Sequence, residues 1–118
     1  MPYNRGDVVL VLFPDSNLAT AKRRPAIVVQ SNQLNTGLAQ TIVAMITSNL
    51  SRAGHPSRVV VAQSSSEGRR MGLLSDSVVM TDNLATVLNS EIDRGIGKCD
   101  DMRTVDAALR HTLGLGSG

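Results

Sequence analysis

A chain of 118 residues has material for one domain and one modest core, and a hydrophobic content of 42% is too high for a disordered chain. With one Cys and two His it can build neither an intramolecular disulfide nor a Cys-rich zinc site, and aromatics at 2% are too few to read single-stranded nucleic acid mainly by base stacking. The net charge of +2, at a sequence pI near 9.2, is a mild excess whose meaning depends on where the charges sit.

Short β-branched runs between polar, Gly- or Pro-containing loops predict five strands, over residues 7–13, 25–30, 41–47, 58–62 and 77–81. The runs are nearly continuously apolar, which implies strands covered on both faces or closed into a small barrel. Their shortness and the turn signals between them favour a barrel over a parallel α/β sheet. Residues 87–93 read as a short helix. Further on, Asp100 or Asp101 offers an N-cap, and Met102, Val105, Leu109 and Leu113 recur at spacings of three and four. This predicts an amphipathic helix that lays one stripe on the barrel and ends at Gly114.

No repeat or linker divides the chain. Residues 1–115 read as one domain and residues 116–118 as a frayed tail or cloning remnant. No apolar run has the length of a membrane-spanning helix, and the N-terminus lacks the layout of a secretion signal. With the lone Cys99, this points to the reducing cytoplasm and away from a membrane. Three predicted loops hold half of the chain's 12 Lys and Arg. Residues 14–24 end in Lys22-Arg23-Arg24, residues 48–57 carry Arg52 and His55, and residues 63–75 carry Arg69 and Arg70. Gathered on one side of a barrel, they would form a basic rim that attracts phosphate backbones without regard to sequence.

Several short motifs line up in order. Arg5-Gly6-Asp7-Val8 opens the first strand, and Arg24-Pro25-Ala26-Ile27-Val28-Val29 the second, followed by a polar turn over residues 30–35. Thr41-Ile42-Val43-Ala44-Met45-Ile46-Thr47-Ser48 is the third. Gly72-Leu73-Leu74 precedes Asp76-Ser77-Val78-Val79, and Asp82-Asn83 follows. In order and spacing this series resembles the MazF/PemK toxin family, from about residue 4 to about residue 115. The resemblance implies a mainly β fold, a small SH3-like barrel of the CcdB/PemK-like kind with a C-terminal α-helix, usually as a homodimer. It also implies an endoribonuclease, an mRNA interferase, that cuts single-stranded RNA at short sequences with no metal or cofactor. The implied partners are that RNA, a cognate antitoxin whose disordered segment covers the active groove, and operon DNA bound by the toxin–antitoxin complex. The family's Arg before Pro falls on Arg24, and its Thr closing the third strand falls on Thr47; these are the catalytic candidates.

The sequence also departs from the family pattern. After the fifth strand, family members often carry Asp-Gln, a hydrophobic residue, Arg and Thr. Here the stretch is Asp82-Asn83-Leu84-Ala85-Thr86, so Ala85 replaces the Arg. Met80 stands where some members have another active-site Arg. The common Gly-x-Glu-Gln of the first loop reads Asn17-Leu18-Ala19-Thr20.

RNA carries its own nucleophile, the 2′-hydroxyl. An enzyme must accept that proton, stabilise charge on the phosphorane and assist the leaving 5′-oxygen. The products are a 2′,3′-cyclic phosphate and a 5′-hydroxyl end. The planar fork of Arg24 suits two phosphate oxygens at once. Because guanidinium stays protonated, charge stabilisation is its first role, ahead of proton delivery. The Thr47 hydroxyl would orient the scissile phosphate or the 2′-oxygen, with Ser48 assisting. Arg23, Arg69 and Arg70 are candidates for steering RNA, and the amides of Gln30, Asn32 and Asn35 suit base edges. Asp82 either positions RNA or pairs with Arg24, with an Asx turn as an equal alternative. His55 reads as an inert loop residue, and Cys99 lacks a His partner that would make it a nucleophile. Two other readings share the fold, which alone cannot separate them: a non-cleaving CcdB-like gyrase inhibitor, and a nucleic-acid-binding modulator of its antitoxin operon.

Overall fold

β-branched residues alternate along the central strands so that successive side chains leave the sheet on opposite faces. A computed structural model describes residues 3–14 and 21–116; the first-loop stretch Asn17-Leu18-Ala19-Thr20 and the end of the tail lie outside the described residues. Six strands form one antiparallel sheet: β1 (Asp7–Pro14), β2 (Ala21–Val28), β3 (Gln40–Thr47), β4 (Arg58–Val61), β5 (Ser77–Leu88) and β6 (Ile92–Lys98). Their spatial order is β4-β5-β3-β2-β1-β6. Two helices complete the fold, α1 (Ser66–Arg70) and α2 (Arg103–Leu113). The mainly β expectation with a C-terminal helix holds, with one difference: the hydrogen-bonded sheet is open, with β4 and β6 as its edges.

Both faces of the sheet are covered, as the continuous apolar runs implied. Val8, Ile27, Ala44, Ile46 and Val79 pack on one face with Met71, Leu73 and Val105 of α2. Val9, Val11, Ala26, Val28, Val43 and Met45 pack on the other with Val87 and Ile92. Among the described residues no helix contributes to this second cluster; Tyr3, Met80 and Ala85 pack against it. Helix α2 docks through Val105 and Ala108 and stops at Gly114, whose left-handed φ of 69° suits a residue without Cβ. The N-cap position is Met102, not an aspartate. Asp101 nonetheless serves the helix end, because its carboxylate accepts from the Arg103 N–H at 3.1 Å.

Three differences from the expected elements stand out, beside shifts of one or two residues at other strand ends. The second strand begins at Ala21, so Lys22, Arg23 and Arg24 lie in β2 and not in a loop. The fifth strand runs to Leu88. The helix expected over residues 87–93 is only a 3-10 turn, Asn89–Glu91, between β5 and the unpredicted β6.

The seams between strands differ in length. Seven residue pairs join β1 to β2 and eight join β3 to β5, but only Ala26↔Met45, Ile27↔Ala44 and Val28↔Val43 join β2 to β3. Beyond Ala26 the sheet therefore divides into two leaves, β6-β1-β2 and β3-β5-β4. A bulge in β5 adds a second irregularity. Met45 pairs with Met80 and Ala44 with Leu84, which leaves Thr81, Asp82 and Asn83 out of register. The buried Thr81 hydroxyl donates to the Ser57 carbonyl at 2.7 Å and lies 2.8 Å from the Thr112 hydroxyl, tying the bulge to α2.

Candidate functional site

A groove of about 720 Å³ opens where the two leaves part. Arg23, Arg24 and Pro25 of β2 form one lip; Met45, Ile46, Thr47 and the following Ser48 form the other. The segment Gly72-Leu73-Leu74-Ser75, with Ile96 of β6, closes one end, and Met80 and Asn83 contribute from β5. Arg24, Thr47, Arg23 and Ser48, singled out far apart in the sequence, are thus brought together.

The electrostatics of the groove distinguish its two arginines. Arg23 Nε donates to Asp93 at 2.9 Å, which offsets part of its charge. Arg24 is exposed and makes no ion pair among the described residues, so none of these competes with an anion for its guanidinium. On the opposite lip, Thr47 Oγ1 accepts from the Asn49 N–H at 3.1 Å. That bond holds the oxygen in place and leaves the hydroxyl proton available to donate. Asn49 in turn caps the turn Leu50–Arg52, so the chain after Thr47 is fixed by local bonds.

Other candidates lie outside the groove. Gln30 accepts from the Ile42 N–H and Asn32 from the Arg5 N–H, so both side-chain oxygens already tie the backbone together beside a separate small cleft. Asn35 is exposed on the loop leading to β3. Arg69 donates to the Ser64 carbonyl and Arg70 pairs with Asp100, both on α1. The expected basic rim is therefore not gathered in one place: of its members, only Arg23 and Arg24 line the groove. Asp82 pairs with Arg58, not Arg24, in a two-bond fork at 2.9 and 2.6 Å, and the hydrogen bonds from that guanidinium hold the carboxylate below its usual range. Met80 and Ala85 pack against the second core cluster, so apolar contacts occupy the two positions where the family pattern has arginines. His55 shares a short hydrogen bond with Ser57 and meets His111 edge-on.

Sequence reasoning missed Leu74, Ser75, Ser77 and Asn83 as groove residues. Leu74 is 97% exposed, an apolar side chain held on the rim with no described residue of its own chain over it. Asn83 reaches the groove because the β5 bulge turns it there, which no spacing in the sequence announces.

A family model described as PemK-like, MazF-like toxin of type II toxin–antitoxin system matches residues 4–113. The chain belongs to this family. Among curated relatives of the toxin, Endoribonuclease MazF6 of Mycobacterium tuberculosis is 35% identical over 107 residues, covering 88% of this chain and 90% of its own. Endoribonuclease EndoA of Bacillus subtilis is 30% identical over 118 residues, covering 98% and 97%. A solved mycobacterial endoribonuclease in complex with its cognate antitoxin shares the toxin's fold, with a TM-score of 0.74 at 23% identity over 98% of this chain and 99% of that one. Among the described residues no helix of the toxin is long and apolar enough to cross a membrane, and no group of His, Cys, Asp and Glu has the arrangement to hold a metal ion.

Cys99 plays no part in the groove. It is buried, its thiol donates towards Glu67 and the Asp101 carbonyl, and burial followed by the Glu67 carboxylate pushes its pKa up to about 11. At pH 8 the folded toxin is expected to hold about a hundredfold less thiolate than a thiol at its ordinary pKa. Thiol titration with a chromogenic disulfide should therefore be slow in buffer and complete within minutes in guanidinium; equal rates would refute the burial argument. Because the folded thiol binds its proton more tightly, its contribution to stability is complete below pH 9 and lost as pH rises through about 11.

Proposed function

We propose that this toxin is a metal-independent endoribonuclease that cleaves single-stranded RNA in the groove between the two leaves. The observation that carries the reading is an exposed guanidinium, without an ion pair among the described residues, on one lip and an anchored hydroxyl on the other. A phosphodiester lying between them meets Arg24 from one side and Thr47 from the other. Arg24 neutralises the charge that builds on the phosphorane, where a fixed cation is worth more than in water. Thr47 donates its proton to a phosphate oxygen or orients the 2′-hydroxyl, with Ser48 beside it. Attack by the 2′-oxygen, whose proton passes to solvent, forms the new P–O bond and breaks the bond to the 5′-oxygen, which takes up a proton from solvent, leaving a 2′,3′-cyclic phosphate and a 5′-hydroxyl end.

Arg23 adds attraction for a neighbouring phosphate, tempered by Asp93. Asn83 offers an amide, and Leu74 an apolar surface, to a base beside the scissile bond. Arg69, Arg70 and Asp82 stand further out, engaged with their own partners. Gln30 and Asn32 line the separate cleft. The reading includes a cognate antitoxin whose segment covers the groove, a homodimer, and operon DNA as a ligand of the complex. The bare Leu74 on the groove rim suits such a cover.

The test is cleavage of a long single-stranded RNA in EDTA. Cleavage unaffected by the chelator, with cyclic-phosphate ends, is the expected result. A folded protein that leaves a varied set of RNAs intact would overturn the reading, and a gyrase supercoiling assay would then test the non-cleaving alternative that the apolar Met80 and Ala85 favour.

A further inference from the structure

We infer that Pro25 is a positioning residue: by withholding one backbone hydrogen bond it keeps β2 from zipping to β3 past Ala26, and so sets the gap between Arg24 and Thr47. The inference rests on the ribonuclease reading above.

The bonding pattern of β2 carries the argument. The Val28 carbonyl accepts from the Gly6 N–H on the β1 side, while the Val29 N–H donates to the Ile42 carbonyl on the β3 side. Backbone polar groups alternate sides along an antiparallel strand, so residues 29, 27 and 25 address β3. Each step back along β2 is a step forward along β3, as in Val28↔Val43, Ile27↔Ala44 and Ala26↔Met45. The next pair would set residue 25 against Ile46, and residue 25 is the one that has no N–H to give. The seam stops there, although β1–β2 pairing continues to Ala21 and β3–β5 pairing to Thr47.

The composition of the groove fits a breach through the sheet. Pro25 and Ile46 alternate with the first core face, whereas Arg24, Met45 and Thr47 alternate with the second, yet all five line the same opening. Continued in register, the ladder would make Arg24 and Thr47 direct neighbours in a non-hydrogen-bonded pair, with Cα atoms about 4.5 Å apart. Their side chains would then pack on each other. Left apart, they flank a space.

Pro25→Ala supplies the missing N–H with the least change of side chain. In this variant kcat on a defined single-stranded RNA is expected to fall tenfold or more while KM stays within twofold. The amide of residue 25 is expected to exchange with deuterium at least tenfold more slowly than in the unfolded chain, and the thermal midpoint to hold. An unprotected amide overturns the inference, as does a protected one with wild-type kcat. Should alanine weaken the fold, Pro25→Val, a residue suited to strands, carries the same two expectations and is overturned by the same two results. Wild-type protein that cleaves no RNA would overturn the reading beneath, and the amide exchange of the variants would still decide whether Pro25 holds the strands apart.

Discussion

Replacing Arg24 with alanine is expected to slow RNA cleavage by roughly a hundred- to a thousandfold, the cost of removing one preorganised donor from a charge-stabilising site. Its side chain is exposed and makes no ion pair among the described residues, so the thermal midpoint should move by no more than about two degrees. Arg24→Lys keeps the charge but loses the planar fork, and should recover only part of the rate. Thr47→Ala is expected to fall in the same range, with a further loss of about 1 kcal/mol in stability because the Asn49 N–H loses its acceptor. Thr47→Ser retains the hydroxyl and should restore most of both. If the two groups act on one phosphate, the double variant will be less impaired than the product of the single effects. Single-turnover cleavage of a labelled RNA, with circular dichroism melts alongside, measures all of these. An Arg24→Ala protein that cuts at the wild-type rate would remove this residue from the mechanism.

Gly72→Ala should be the most damaging single methyl group in the chain. Gly72 has a left-handed φ of 74°, and a Cβ there would lie 2.1 Å from the Ile96 carbonyl oxygen. Neither partner is a flexible side chain, so the backbone must move. On β6, a Cβ on Gly97 would meet the Met71 and Arg70 backbone at 2.3–2.5 Å. The two glycines thus let residues 70–72 lie directly against β6, and that contact fixes the wall of the groove formed by Leu73, Leu74 and Ser75. The strain and lost packing are expected to cost at least about 3 kcal/mol. Urea denaturation measures it, and a loss below about 1 kcal/mol would show that the segment is not clamped as described.

The parts of the fold that were legible in the sequence are those whose pattern is set by burial. The valine-rich runs of β1 and β3 and the three–four spacing of α2 report which side chains meet the core, and the structure places them nearly where they were expected. Strand β6 was not legible, because only Ile92 of its residues is buried and Asp93, Arg94, Gly95 and Gly97 carry no β signal. The charged start of β2 was hidden for a similar reason: Lys22, Arg23 and Arg24 are paired to β1 alone and stand in solvent. Arg24 and Thr47 were picked out by resemblance, and no local pattern would have chosen them from other arginines and threonines. Asn83 and Leu74 were beyond reach, since a bulge and a clamped glycine segment decide where they point. The Arg58–Asp82 pair shows the same limit from the other side: Asp82 had seemed a partner for Arg24, and only the adjacency of β4 and β5 reveals its own.

The seclusion of Cys99 has a practical consequence. A chain whose single thiol is buried and protonated offers a silent background for site-directed labels. One cysteine placed on each leaf, at the exposed positions Lys22 of β2 and Val60 of β4, would take spin labels or fluorophores while the native thiol stays unmodified. The width of the opening would then become a distance that can be read in solution, with and without RNA.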